Sequence, residues 1–358
     1  MQQRIIGFDL ARAYAIFGMF IVNFNFCFGS FQDKSPLGQF LNLFVGNSTA
    51  IFIILAGMGV SLMTNRIEYT KQEKSKLKSI IIKRSWFLVA LGLLLYNWWP
   101  GDILHFYGAY MHIAAFILFV PKKYYLWTAV FSIIIFHLLL QFIPINTSWN
   151  FETFKYADFW TPFGFLRNTI YNGWNSIFPW LSYFMVGMFL GRLNWQNKST
   201  KRNTFLIGLF VFIIFEGLRY LAKQNLFDEY WTSYIMSEYF PAYLPFILIT
   251  ASFALMAISI CMFIADKFPT SKIINSLVKT GQMTLSFYVI HVTIGMLIFS
   301  KLTNQLYTGY LTQQTPSKPV FILTFAIVFY IFCILFSILW TRKFKNGPLE
   351  TLMRKISN

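Results

Sequence analysis

Residues 319–341 read PVFILTFAIVFYIFCILFSILWT, without one charged side chain. A bilayer core of about 30 Å takes roughly 20 consecutive apolar residues to cross as a helix. This stretch is long enough, and it has no polar face to offer water. Working outward from it, nine further apolar runs recur along the chain: 8–28, 44–64, 82–99, 104–120, 124–144, 177–194, 204–221, 242–264 and 282–300. Composition agrees. Of 358 residues 56% are hydrophobic and only 12% charged, against about 25% charged in an average soluble domain. A soluble enzyme is therefore excluded. The pattern predicts an all-α, polytopic membrane protein of about ten transmembrane helices, forming a single integral-membrane domain over 1–358.

The formal net charge is +17, which in a soluble chain would point to nucleic acid. Here the cations sit between the apolar runs. With the amino terminus placed in the cytoplasm, 23 of the 30 Lys and Arg fall on the inner side, from Arg4 and Arg12 through Arg66–Arg84 to the tail Arg342–Lys355. The positive-inside rule accounts for that bias without a nucleic-acid partner and puts both termini in the cytoplasm. Trp98, Trp99, Trp127, Trp195 and Trp340 fall at expected span ends, where an indole faces both lipid and water. Asp9 and Arg12 interrupt the first run, which is not the pattern of a cleaved signal peptide. Cys27, Cys261 and Cys333 lie in or beside apolar runs and form no C-x-x-C, so neither a disulfide framework nor a thiolate metal site is expected. The longest outer connection, 145–176, is rich in aromatics and reads either as an interfacial anchor or as a cap over a cavity.

A charge at membrane depth costs at least about 2.5–3.5 kcal/mol, so ionisable residues there are functional candidates. The first run contains FDLARAYAIFGMFIVNF. At 100° per residue Asp9, Arg12 and Asn23 share one face, with Asp9 and Arg12 spaced to pair at i,i+3. The fourth opens GDILHFYGAYMH. Asp102 stands three residues before His105, as a carboxylate that orients an imidazole would. His105 and His112 are about 10.5 Å apart on a straight helix, too far for one zinc ion, and no metal is expected. The ninth contains GQMTLSFYVIHVT, with Thr284, Tyr288 and His291 on one face. For each group the alternative is structural: a salt bridge at a helix end, a capping Asp, or a histidine satisfied in a packed core. No phosphate loop, nucleophile elbow or H-E-x-x-H is present.

Four segments carry a resemblance to a known family: RIIGFDLARAYAIFGMFIVNF, DILHFYGAY, GQMTLSFYVIH and the tail WTRKFKNGPLETLMR, in that order from Arg4 to Arg354. They resemble the YeiB-like family of bacterial membrane proteins, a domain of unknown function. That family is similar to the transmembrane acyltransferase superfamily that includes heparan-glucosaminide acetyltransferase. The resemblance implies a bacterial inner-membrane protein of ten or eleven helices. It would take an acyl group from cytoplasmic acyl-CoA and pass it to a hydroxyl or amine of an envelope glycan or lipid. It also implies that Asn23 matches an active-site asparagine and His291 a late-span histidine of the motif. One departure is plain. The catalytic histidine of the heparan enzyme lies eleven residues past that asparagine; here the position is Lys34, and 24–101 contains no His. Either another base serves, such as the Asp102–His105 pair, or the chemistry is different.

The reading is thus a membrane acyltransferase. His105, held by Asp102, is the base and His291 its rival. Asn23 steadies charge on the acyl oxygen, and Arg12 (paired with Asp9), Lys83 and Arg84 hold the acyl-CoA phosphates. Asn23, His105 and His291 are expected to line one cavity. The alternative is a transporter or flippase that uses the same polar stripe as a pathway; a non-catalytic partner of an envelope enzyme is a third. Membrane lipids and an envelope acceptor are the expected partners, nucleic acid is not, and a homo-oligomer is compatible with the sequence.

Overall fold

The computed structural model describes residues 5–65, 68–307 and 315–358. Arg4 and Arg66, two of the cations assigned to the inner side, lie outside the described residues. The described chain is helical: α1 (Ile6–Phe28), α2 (Pro36–Asn42), α3 (Asn47–Met63), α4 (Lys71–Tyr96), α5 (Leu104–Phe116), α6 (Lys123–Phe142), α7 (Pro162–Arg167), α8 (Ile177–Leu190), α9 (Lys198–Lys223), α10 (Glu229–Ile235), α11 (Leu244–Lys267), α12 (Lys272–Gly281), α13 (Thr284–Ile290), α14 (Met296–Thr303), α15 (Pro319–Trp340) and α16 (Pro348–Ser357). The exception is a short antiparallel hairpin, β1 (Trp149–Asn150) with β2 (Lys155–Tyr156).

Nine of the ten expected spans overlap a single described helix, and 282–300 is covered by α13, the turn His291–Gly295 and α14. Among the described residues, eight helical stretches are long and apolar enough to cross a membrane. The expected spans 104–120 and 177–194 are occupied by α5 and α8, of 13 and 14 residues. At about 1.5 Å per residue these reach only about 20 Å, short of a bilayer core. Each stops early for a visible reason. Helix α5 ends at Ile117 before the turn that leads to Pro121. Helix α8 ends at Gly191.

Contacts divide the chain into two compact units. The first holds the described residues of 1–52, 97–100 and 257–355. Its axis is α1, packed on α12, α13 and α15. Small residues set how closely backbones approach in such packing. A Cβ on Gly281 would collide with the carbonyl oxygen of Asp9, so α12 crosses α1 with no side chain between. Above this crossing, Phe20, Phe24 and Phe299 are fully buried. Phe24 packs edge-on against Phe325 at 4.8 Å between ring centroids. The Tyr330 hydroxyl donates to the Ala13 carbonyl at 2.8 Å.

The second unit holds residues 53–96, 101–256 and 356–358 among those described. In it α4 packs along α5, and α6 along α8. Gly57 lies against the Phe184 carbonyl and Gly187 against the Ile54 carbonyl, a reciprocal close approach between α3 and α8. Helix α9 leaves Ile207, Phe210 and Ile213 exposed, as a helix facing lipid does.

The 145–176 connection is ordered by its polar groups. Thr161 caps α7, accepting from the Gly164 N–H at 3.0 Å. The Arg167 guanidinium donates to Asp158 at 2.7 Å, to the Tyr156 hydroxyl at 2.8 Å and to Ser148. The Tyr156 hydroxyl donates to Asn172 Oδ1 at 2.7 Å, while Asn172 Nδ2 donates to the Thr147 carbonyl at 2.8 Å. Partial burial works against ionisation of Asp158. The hydrogen bonds from Arg167 and Ser148 outweigh it and hold the carboxyl below its ordinary value.

Candidate active site

The residues singled out from sequence meet as pairs. In the first unit, Arg12 Nη1 donates to Asp9 Oδ1 at 2.6 Å. Asp9 is buried and Arg12 a quarter exposed. Gln282 Nε2 reaches the other carboxylate oxygen of Asp9 at 3.4 Å. The i,i+3 spacing that identified the pair is what lets both side chains meet on one face of α1.

Fourteen residues further along α1, Asn23 meets His291 from the π-helical turn His291–Gly295 that follows α13. Asn23 Nδ2 and His291 Nε2 are 2.8 Å apart. His291 Nδ1 lies 3.1 Å from the Phe287 carbonyl oxygen. A carbonyl can only accept, so Nδ1 carries the proton and the Nε2 lone pair accepts from the Asn23 amide. Both nitrogens of His291 are thereby engaged, and Asn23 keeps a second amide hydrogen. Phe20 stands over the imidazole at 4.9 Å, and Tyr288 flanks it at 5.3 Å. Within the π turn, a feature common at functional sites, the Val292 carbonyl accepts from Trp98 Nε1 at 2.6 Å.

In the second unit, Asp102 lies just before α5. Its Oδ2 accepts from the His105 backbone N–H at 3.0 Å and from His105 Nδ1 at 2.9 Å. One carboxylate oxygen thus starts the helix and fixes the imidazole. Asp102 is 0% and His105 1% exposed. In the neutral ring with Nδ1–H given to the carboxylate, Nε2 would bear the lone pair, and Nε2 has no hydrogen-bond partner among the described residues. The ring sits among Phe106 (3.8 Å), Phe159 (5.8 Å), Tyr96 (6.0 Å) and Phe165 (6.4 Å). Phe159 and Phe165 come from the outer connection, so the aromatics of 145–176 cover this histidine. Gly92 of α4 makes room for the pair: a Cβ there would stand 2.6 Å from the His105 nitrogen and closer still to Asp102 Oδ2.

Lys83 is exposed on α4. Its neighbour Arg84 donates from Nε to Ser357 Oγ at 3.2 Å and from Nη1 to Met63 Sδ at 3.2 Å. Two contributors went unassigned in the sequence. Trp98 was read only as an interfacial residue. Glu350, in the GPLE tail motif, has its carboxylate on the inner end of α13: Oε1 accepts from the Leu285 N–H at 2.8 Å and the Ser286 N–H at 3.2 Å, and Oε2 from the Ser286 hydroxyl. No local periodicity links Glu350 to Ser286, 64 residues away.

Fold and site together define a polytopic helical membrane protein with buried histidine pairs, one of them a carboxylate–histidine couple with an open ring nitrogen. Residues 4–227 match the family described as Heparan-alpha-glucosaminide N-acetyltransferase, catalytic. Residues 190–358 match that described as Protein of unknown function (DUF418). The first match covers more than half of the chain, and the chain belongs to that acyltransferase family. The second agrees with the YeiB-like resemblance. No curated protein matches the chain. Asn23, Asp102 and His105 fall within the acyltransferase match and His291 within the other.

Proposed function

We propose that the protein moves an acyl group from cytoplasmic acyl-CoA to a hydroxyl or amine of a cell-envelope glycan or lipid, as a multi-pass protein of the bacterial inner membrane. The observation that carries the reading is the buried Asp102–His105 pair with its Nε2 unengaged. In the reaction, His105 Nε2 takes the acceptor's proton as the acceptor oxygen or nitrogen attacks the thioester carbonyl. In the first unit, Asn23, held by His291, forms a second polar pair whose remaining amide hydrogen is available as a donor. The C–S bond then breaks, and the proton passes from His105 to the departing thiolate. Asp102 keeps the imidazole in the productive tautomer throughout.

On the donor side, the candidate cations for the phosphates are Arg12, fixed by Asp9, in the first unit, and Lys83 and Arg84 in the second. Ten passes, with α5 and α8 completing the eight longer spans and both termini in the cytoplasm, agree with the 23 to 7 division of Lys and Arg. The whole chain acts as one integral-membrane domain; the acyltransferase match, 4–227, runs through both compact units.

The test uses purified protein in proteoliposomes, radiolabelled acetyl-CoA outside and an envelope extract inside. Label appearing on an acceptor in the lumen, lost in His105→Ala, supports acyl transfer. Passage of a solute with the thioester intact and no labelled acceptor favours the transporter.

A further inference from the structure

A cavity of about 500 Å³ opens in the first unit, lined by Asn275, Val278, Lys279 and Gln282 of α12 and its C-cap and by Thr341, Phe344 and Lys345 after α15. Its size falls within the roughly 300–1,000 Å³ of small-ligand sites. Positions 275, 278, 279 and 282 follow i, i+3, i+4, i+7 spacing, so they present one face of the α12 turn. Thr341, Phe344 and Lys345 repeat the spacing on the opposing wall. The lining supplies two ammonium groups from different elements, two side-chain amides and a hydroxyl, set between Val278 and Phe344. It contains no carboxylate. The carboxylate that Gln282 touches, Asp9, already holds Arg12.

Such a lining is wrong for a cation and right for a compact, multiply charged oxyanion. Lysines act as point charges, and amide N–H and hydroxyl groups fill the remaining acceptor sites. We propose that the pocket between α12 and the segment after α15 is a phosphate-binding site, with Lys279 and Lys345 as its cations and Gln282 as an amide donor. The ligand is a phosphate ester, either the phosphates of a soluble acyl-thioester nucleotide or a phospholipid headgroup. The first source rests on the acyl-transfer reading and adds residues to its donor side. Gln282 ties the pocket to Asp9 and so to α1, along which Asn23 stands about 21 Å further on.

The experiment measures binding without turnover, so that this site and the acyl-transfer reading can fail separately. Full-length protein in phosphatidylcholine nanodiscs is titrated with coenzyme A. A parallel sample in phosphatidylglycerol nanodiscs is assayed by native mass spectrometry for retained lipid. The variants are Lys345→Gln, Lys279→Gln, the double, and Lys272→Gln as an equal charge change elsewhere on α12. If the ligand is the nucleotide, the double variant weakens coenzyme A binding about tenfold and Lys272→Gln changes it less than twofold. If it is the lipid, coenzyme A binding is unmoved, and the double variant loses retained phosphatidylglycerol while Lys272→Gln keeps it. Lys345→Gln, at an exposed position, carries the same direction should the double fold poorly. The proposal is overturned if the wild type binds neither probe, if the pocket variants match it on both, or if Lys272→Gln weakens binding equally.

Discussion

Gly92→Ala is the sharpest structural test of the Asp102–His105 pair. The added methyl would stand 2.6 Å from the His105 backbone nitrogen and 3.1 Å from its Cβ, and nearer to Asp102 Oδ2. Two of these neighbours are not the ends of flexible chains. The nitrogen belongs to the first turn of α5, and the carboxylate is fixed by both bonds to His105. Relief requires α4 and α5 to part or the carboxylate to turn away. Overpacking of this kind costs about 1–3 kcal/mol. A hydrogen bond to a charged group adds about 1.5–3 kcal/mol if lost; the two are not strictly additive. An apparent melting temperature lowered on the order of 5–10 °C follows, measured by intrinsic fluorescence in detergent, with a larger loss of acyl transfer. Gly217→Ala is the control. Nothing lies within 4 Å of a Cβ there, and alanine is the better helix former by about 1 kcal/mol, so stability holds or rises. If Gly92→Ala melts and transfers as the wild type does, the pair is not wedged against α4 and the reasoning fails.

Three further outcomes are expected. Burial raises the Glu350 carboxyl above the ordinary Glu value, although bonds from Ser286 and Leu285 oppose it. The folded chain therefore binds this proton more tightly than the unfolded one. The stability it confers is full below the unfolded value and is lost as pH rises through the raised one, so the melting difference between wild type and Glu350→Gln shrinks across that window; a pH-independent difference removes the linkage. Arg167→Ala removes the donors to Asp158, Tyr156 and Ser148, and hydrogen exchange over 148–172 should accelerate while the spans stay protected; unchanged exchange means another contact orders the connection. Trp160→Cys should react with an impermeant thiol reagent in intact cells and Lys74→Cys should not, against three buried native cysteines; the reverse inverts the topology.

What could be read from sequence follows from range. Hydropathy located the long apolar helices, because each is decided by its own composition, but not the short α12 that packs on α1. The Asp9–Arg12 and Asp102–His105 pairs were legible for the same reason: three residues on a helix is a local distance. Asn23 and His291 each stood out as polar groups in apolar runs. Their contact, across 268 positions, depends on how α1 packs, which no local pattern encodes. The engagement of both His291 nitrogens changes its standing as a base, since its Nε2 lone pair is already given to Asn23. The shortness of α5 was also hidden, because its apolar run continues past the helix end through Val120. The start of α16 is local, since Pro348 stands at its first position, where proline is favoured, whereas the reach of Glu350 to α13 is a tertiary fact.

The central claim is that His105 is the base of an acyl transfer. Its most direct measurement is single-turnover transfer from labelled acetyl-CoA in proteoliposomes for wild type, His105→Gln and His291→Gln, with acetyl-CoA binding followed in the same samples. A general base contributes about 10²–10⁴-fold. The account predicts that His105→Gln loses transfer on that scale while donor binding is retained. Transfer by His105→Gln at the wild-type rate, with loss in His291→Gln, would contradict it.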